Sequence, residues 1–478
     1  MLFFELIALS DEAHIDGGCF YTEQEPINQV KLACVITHFN RKQYLLPTLA
    51  RFKNDLFNNA DYNQKIKLII VDNSQNIQAD EAEGAIVIPN QNYGGSGGFM
   101  RGLLYAKDNN FTHCLFMDDD ASFELDAIKR AYALMQYSTD KNLAIGGILL
   151  EDNHPYLVWE AGAQYINTPL THHTIHNYQL TDARLIDNLL FLERENLPIH
   201  YQAWWFLLFN IDEMKHLSFP FYVRGDDILF SLQNQFKLIT LNGISLFGAN
   251  FRNKENVISR YLGFRAMAAI YLMMSEKCNV LAIMRQFSAW CFANLLSYNY
   301  SSAQAIYLAL HDVLVNKTTT FSNDLNGEKL RNKLKHLVNK EKTTQFDFAI
   351  LDIKYNHGKN TKINRMFRIL TLNGFLLPSF LLKNDVVFQP KNFRAILKEI
   401  FLYKKVIYID ESNKTAYIAE HNKKEIFNGL VQWIKGLWLI FKEFNNAKQD
   451  FLAQKDYLTS EDFWREVYDL KTKSEDKK

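Results

Sequence analysis

From Lys31 onward the chain alternates short β-rich apolar runs with stretches of helical periodicity, and no other feature constrains the fold as tightly. Leu32–Thr37, Lys67–Val71, Ala85–Pro89 and His113–Met117 are near-continuous apolar runs of strand length. Such runs fit strands buried on both faces, as in a parallel sheet covered by helices. Arg41–Phe52, the stretch ending near Asp108, and Glu124–Met135 carry helical spacing between them. The alternation predicts an α/β domain with a mostly parallel, Rossmann-like sheet. Open sheets of this kind bind ligands at the C-terminal ends of their strands. Here those ends run into Asp72-Asn73-Ser74 and Asp118-Asp119-Asp120.

Leu143–Leu150 reads as a further strand, and the polar, His-rich Thr171–His176 as a surface loop. Ala203–Asn210 is expected as a strand, Asp212–His216 as a short helix, Asp226–Gln235 as a helix and Lys237–Leu246 as a last strand. Beyond Arg265 the pattern is mainly helical, with a hairpin at Val406–Ile409 and Thr415–Ile418. The expected organisation is a short N-terminal β segment (1–30), the α/β domain (31–265), a mainly helical domain (266–470) and a charged, disordered tail (471–478).

Lys+Arg and Asp+Glu are both 53, so no global field gathers nucleic acid, and none is expected as a partner. The five cysteines are scattered without a Cys-x-x-Cys pair, which argues against a disulfide framework or a zinc site. Met1–Leu9 lacks a basic start and carries Glu5, a poor secretory signal. No run of eighteen uncharged apolar residues occurs. A reducing, cytoplasmic location is the expectation.

Three short motifs carry chemistry. The aspartate triplet follows the apolar run Cys114–Met117 at a strand end. Carboxylates so close repel unless a cation or donors lie between them, and hard Mg²⁺ or Mn²⁺ prefer carboxylate and phosphate oxygens. A solvated cap cluster before Ala121 is the bland alternative. In Asn92-Tyr93-Gly94-Gly95-Ser96-Gly97-Gly98 the glycines permit close approach of backbone N–H groups to a phosphate or sugar, and a flexible turn would need the same residues. Asp226-Asp227, after Arg224-Gly225, is either a helix cap or a pair containing a general base. Trp204-Trp205 on a strand face opposite ways, so one ring can be core while the other stacks on a sugar.

Taken in order, Thr37-His38-Phe39-Asn40-Arg41, Val71-Asp72-Asn73-Ser74, the glycine run, Phe116-Met117-Asp118-Asp119-Asp120, Trp204-Trp205 and Asp226-Asp227 resemble glycosyltransferase family 2 over about residues 31 to 265. The likeness is greatest to the galactan-building galactofuranosyltransferases of that family. It implies a GT-A fold, an inverting single displacement and a UDP-sugar donor, with UDP-galactofuranose the candidate. Carried over, Arg41 contacts the diphosphate, Asp72 the uridine, and Asn92 the ribose or donor sugar; Gly94, Gly95 and Asp119 complete the donor site. Asp118 and Asp120 frame Mn²⁺ or Mg²⁺, Trp204 and Trp205 line the acceptor site, Asp227 is the base, and Asp226 stands beside it for acceptor hydroxyls. Two departures stand out. The family's metal-binding histidine has no counterpart, since its place reads Leu246-Phe247-Gly248 and no histidine occurs between His216 and His311. The N-terminus is also shorter than the β module of the polymerising relatives. Another metal-dependent nucleotide-sugar enzyme, or a non-catalytic glycan-binding module derived from a transferase, are the competing readings.

Ile426–Phe444 has apolar residues near helical spacing, interrupted by Lys435, Lys442 and Glu443. It reads either as a helix docked on its own domain or as an interfacial membrane helix. Arg365–Lys383 is a second candidate for membrane or homo-oligomer contact. The expected partners are therefore a UDP-sugar, a glycan or lipid-linked glycan acceptor and, peripherally, the inner face of the cell membrane.

Overall fold

Leu32–His38 (β1), Ile66–Asp72 (β2), Ile86–Pro89 (β3) and His113–Asp118 (β4) form as parallel strands, because apolar side chains emerge on both faces of each run. In β1, Ala33 and Val35 enter one core while Leu32, Cys34 and Ile36 enter the core on the opposite face. The computed structural model describes residues 7–17, 21–165, 198–249, 254–274, 278–346, 361–391, 396–410 and 413–471, and the backbone of 171–173 and 176–179.

The later strands are Leu143–Glu151 (β5), His154–Glu160 (β6), Ala163–Tyr165 (β7), Thr171–His173 (β8), His176–Gln179 (β9), Phe206–Asn210 (β10) and Lys237–Gly248 (β11). The main sheet runs β3-β2-β1-β4-β10-β5-β6-β9, with β11 paired to β5. β10 is antiparallel to both neighbours, so its start lies beside the end of β4, with Phe206 opposite Met117. The stretch 171–176 expected as a loop supplies β8 and the start of β9, pairing with β7 and β6. Its histidines gave no apolar alternation to betray a strand. Asp212–His216, expected as a helix, is turn and coil, with Asn234 Oδ1 accepting the N–H groups of Lys215 and His216. In the expected N-terminal β segment the described residues, 7–17 and 21–30, carry no strand.

Helix Gly94–Asp108 packs directly on β1, and its glycines make this possible. A Cβ on Gly98 would stand 2.2 Å from Thr37 Cγ2, and one on Gly102 2.3 Å from Val35 Cγ1. The glycine run expected as a turn is thus the first turn and a half of a helix held tight to the strand. Gly98→Ala should therefore lower unfolding stability by about 1–3 kcal/mol through overpacking, read as a shifted urea midpoint with an unchanged slope.

Helix Val257–Met274 runs through the boundary expected at residue 265. It packs against Tyr300–His311 and Lys423–Leu458, with Val280–Leu295 alongside those two. Among the described residues it alone is long and apolar enough to cross a membrane, yet it lies mostly inside the protein and carries the buried Arg265. Apolar side chains of these helices join one face of the sheet in a single core. The C-terminus closes it: Trp464 Nε1–H donates to Ser218 O at 2.7 Å. Thr344–Gln345 (β12), Lys383–Pro390 (β13), Tyr403–Asp410 (β14) and Thr415–Glu420 (β15) form a separate small sheet. β14 and β15 are the expected hairpin. Of the tail expected to be disordered, 472–478 lie outside the described residues.

Candidate active site

Register brings three strand ends to one level. Thr37 pairs with Asp118 and His38 with Asp72, so β1, β2 and β4 deliver their polar ends together. Asp72 is buried, and its two oxygens accept four hydrogen bonds: from Ser74 N–H (3.0 Å) and Ser74 Oγ–H (2.9 Å) on one side, and from Asn76 N–H (2.8 Å) and Ile77 N–H (2.9 Å) on the other. Burial raises its pKa, but these donors outweigh that and hold it below the ordinary range. Asp72 therefore shapes the loop 73–77 and has no lone pair left for a uridine, against the role that the resemblance gave it.

The three aspartates divide their work by direction. Asp119 turns inward, accepting from Arg41 Nη1–H at 2.9 Å and from Phe39 N–H at 3.3 Å. Buried His38 lies behind it, with Nδ1 3.5 Å from Asp119 and Nε2–H donating to Asn76 Oδ1 at 3.1 Å. Asp119 thus anchors Arg41 and the β1 end. Asp120 lies 3.1 Å from Arg41 Nη1 and 3.1 Å from Lys254 Nζ. Burial would raise it, but Lys254 and then Arg41 prevail and keep it below the usual range. Asp118 has no such partner among the described residues. Burial first, then Asp120 and Asp119, push its pKa up to about 7. A cation shared by Asp118 and Asp120 would relieve that repulsion, and two carboxylates plus phosphate oxygens suit Mg²⁺ or Mn²⁺. Among the described residues no group of three or more His, Cys, Asp or Glu ligands assembles.

The place expected for a histidine is filled differently. Phe247 bridges to Ser122, with N···O distances of 2.9 and 2.6 Å, so the end of β11 lies against the aspartate turn. The chain that follows returns Lys254 to Asp120. Sequence reasoning missed Lys254 because a lone lysine after a strand reads as a solvated charge; its place behind the strand that should bear the histidine was the available signal.

The second carboxylate pair arrives on helix Asp226–Asn234 through a turn in which Tyr222, Arg224 and Gly225 have φ of +73°, +68° and +87°. Ser96, 130 residues away, ties it to the glycine-rich helix: Oγ–H donates to Asp226 Oδ2 at 3.1 Å and N–H to Tyr222 O at 3.3 Å. Gly94 (φ +68°) is required here, since a Cβ would fall 2.0 Å from Tyr222 O; a Cβ on Gly95 would fall 3.2 Å from Asp226 Oδ2. Asn92 Oδ1 accepts from Gly94 N–H at 3.0 Å. Asn92, Gly94 and Gly95 therefore build the wall of the site by docking one helix start on the other. Burial pushes Asp226 up to about 6, while the Ser96 hydroxyl pulls the other way. Asp227 is half-buried, its Oδ1 accepting from Ile228 N–H at 2.8 Å. Burial and then Asp226 raise it well above the ordinary range, with Glu160 and Asp118 adding to the effect.

Trp204 and Trp205 do face opposite ways, but both are core. Trp204 packs edge-on against Phe99, Phe116 and Phe230 at centroid distances of 5.1, 5.0 and 5.5 Å. Trp205 enters the other core, its Nε1–H donating to Gly147 O at 3.3 Å. At 4% and 7% exposure neither presents a face to a sugar, which corrects their assignment to the acceptor site.

Comparison with known proteins bears on the domain that carries these residues. Residues 33–191 match the family model described as Glycosyl transferase family 2. The chain is similar to the Galactofuranosyltransferase GlfT2 of Mycobacterium tuberculosis, 25% identical over 250 residues, which cover 48% of this chain and 39% of that protein. It is similar also to GlfT2 of Mycolicibacterium smegmatis, 24% identical over 278 residues, covering 53% and 42%. The chain thus spans about four-tenths of the length of these curated relatives. Among solved structures, GalNAc-T7 with UDP, GalNAc and Mn²⁺ is 12% identical with a TM-score of 0.39, covering 56% of this chain and 52% of that one. The mannosyltransferase PcManGT from Pyrobaculum calidifontis with GDP-Man and Mn²⁺ is 12% identical with a TM-score of 0.36, covering 66% and 85%. The family match includes β1–β5 and the aspartate triplet, and agrees with the GT-A fold expected from the motifs. Asp226 and Asp227 lie beyond it, so their place in the site rests on the contacts above.

Proposed function

We propose that this chain, whose residues 33–191 match the family 2 glycosyltransferases, is an inverting enzyme that moves a sugar from a UDP-sugar to a hydroxyl of a growing cell-surface glycan. One observation carries the reading. The Ser96–Asp226 contact fixes a carboxylate pair, Asp226 buried and Asp227 half-buried, against the glycine-rich helix, close enough to the strand-end carboxylates for Asp118 to raise Asp227.

In this reading Asp118 and Asp120 hold Mn²⁺ or Mg²⁺ together with the donor diphosphate, and the bound ion supplies charge neutralisation for the departing UDP. Arg41 is held by Asp119 with its side chain 45% exposed, so it can turn to the diphosphate at little cost. Lys254 adds a second fixed cation beside the same group. The acceptor oxygen forms a bond to the anomeric carbon as the carbon–oxygen bond to the β-phosphate breaks. UDP leaves with the electron pair, and Asp227 takes the hydroxyl proton. Asp226, fixed by Ser96, holds Asp227 and the helix start in place. The curated relatives' name makes galactofuranose the donor sugar to test first. The acceptor is a glycan, free or lipid-linked, and the enzyme works on the cytoplasmic side, peripheral to the inner face of the membrane.

Asp227 accepts a proton only when ionised. Its raised pKa, set by burial and by Asp226, Glu160 and Asp118, places the acid limb of turnover above the ordinary carboxylate range of about 4. A pH–rate profile that stays flat down to that range would remove Asp227 from the role.

The deciding experiment incubates the purified chain with a panel of UDP-sugars, Mn²⁺ and glycan acceptors, and identifies the products. UDP release with a lengthened glycan supports the proposal. Pyrophosphate release would make it a different nucleotide-sugar enzyme; glycan binding without turnover of any donor would make it a binding module.

A further inference from the structure

Helix Lys423–Leu458 is docked along one side only. Ile426, Leu439, Ile440 and Phe444 are buried, and Gly429 and Gly436 let it approach so closely that a Cβ would meet Leu295 at 2.2 Å and Phe287 at 2.4 Å. On the outer side Phe427, Ile434, Trp438 and Phe441 recur at spacings of seven, four and three, forming one stripe. They are 65%, 59%, 61% and 76% exposed. Helical spacing places Lys424, Lys435 and Lys442 along one flank of that stripe and Lys423 and Lys448 along the other. Lys442 Nζ lies 5.2 Å from the Trp438 ring centroid and 3.4 Å from Glu443 Oε1. The two acidic residues between Lys423 and Lys448, Glu425 and Glu443, fall on the opposite side of the helix.

A second element repeats the pattern. Helix Lys362–Leu370 buries none of its residues; Ile363, Met366, Ile369 and Leu370 are well exposed, Lys362, Arg365 and Arg368 are interspersed with and flank them, and no acid occurs in it. Exposed aromatic and aliphatic stripes flanked by lysines and arginines are the chemistry of a helix lying in a membrane interface.

We infer that the outer face of helix Lys423–Leu458 is a peripheral docking surface for anionic lipid bilayers, with helix Lys362–Leu370 a second contact of the same chemistry. The inference extends the proposed transferase reading, since it carries the site to acceptors held in a membrane, but it is tested without turnover. The full chain is sedimented with vesicles of phosphatidylcholine alone and of phosphatidylcholine mixed with phosphatidylglycerol. Binding to the anionic vesicles, weakened by salt, is expected. Lys435→Gln with Lys442→Gln should reduce that partitioning about 25-fold, at about fivefold per charge. Trp438→Ser with Phe441→Ser should reduce it more than about tenfold. Both variants should release UDP from donor and a short soluble acceptor at the unaltered rate. Absence of binding by the unaltered chain, or binding indifferent to the lysines, overturns the inference. So does a dimer in analytical ultracentrifugation that Trp438→Ser with Phe441→Ser dissociates, because a second copy then covers the face. Vesicle binding in a chain that turns over no UDP-sugar would sink the transferase reading and leave this one standing.

Discussion

Asp227→Asn should lower sugar transfer by about 10²–10⁴-fold, the usual contribution of a positioned general base, with UDP affinity nearly unchanged. Asparagine keeps the shape and can still accept the Ile228 N–H bond, so helix Asp226–Asn234 retains its start. What it loses is basicity at the group whose pKa burial and then Asp226 raise. The companion change separates chemistry from architecture. Asp226→Asn can still accept the Ser96 hydroxyl through its carbonyl oxygen, so the docking of the two helix starts survives. It also removes the charge that does most, after burial, to raise Asp227. Asp226→Asn should therefore remain active and move the acid limb of the pH profile downward. If it abolishes turnover while Asp227→Asn stays active, Asp226 is the base and the roles are exchanged.

Much of this site was legible in the sequence because its parts are local. An apolar run ending in three aspartates announces a strand end, and a glycine run between a strand and a helix announces a backbone that something approaches closely, although that something proved to be β1 and the Tyr222 turn. Both statements hold within a few residues. The corrections came where a side chain's partners are distant or face inward. Asp72 looked like a ligand contact because it ends a strand, but the next five residues fold back and occupy both of its oxygens. Trp204 and Trp205 looked like a stacking platform, yet Phe99, Phe116 and Phe230, drawn from three separate elements, enclose the first of them. Lys254 needed the register of β11 against β5 and the Ser122–Phe247 bridge before its closeness to Asp120 had any meaning. Periodicity does not encode such pairings. They are set by the sheet order and by which loops return to it.

The loss of Asp120 tests the other half of the site. If Asp118 and Asp120 hold the ion with the diphosphate, Asp120→Ala should reduce Mn²⁺-dependent UDP affinity by more than the 10–100-fold, roughly, that accompanies loss of a ligand's outer-shell partner. Calorimetric titration of UDP with Mn²⁺, and again with EDTA, reads the metal-dependent part directly. Removing this carboxylate also releases Lys254 and Arg41 each from one acidic partner. These cations can then meet the diphosphate without a metal, so some affinity should persist in EDTA, and the variant's two titrations should converge. The fold should hold, because Asp120 is only half-buried and its partners are charged side chains rather than core. Asp119→Asn is the control. Asp119 anchors Arg41 and the β1 end from the inside, so its loss should weaken UDP binding equally with and without metal. A chain in which Asp120→Ala still binds UDP more tightly with Mn²⁺ than with EDTA, by the unaltered ratio, does not use Asp120 as a metal ligand. The cations already gathered at Arg41 and Lys254 would then be the groups that neutralise the leaving diphosphate.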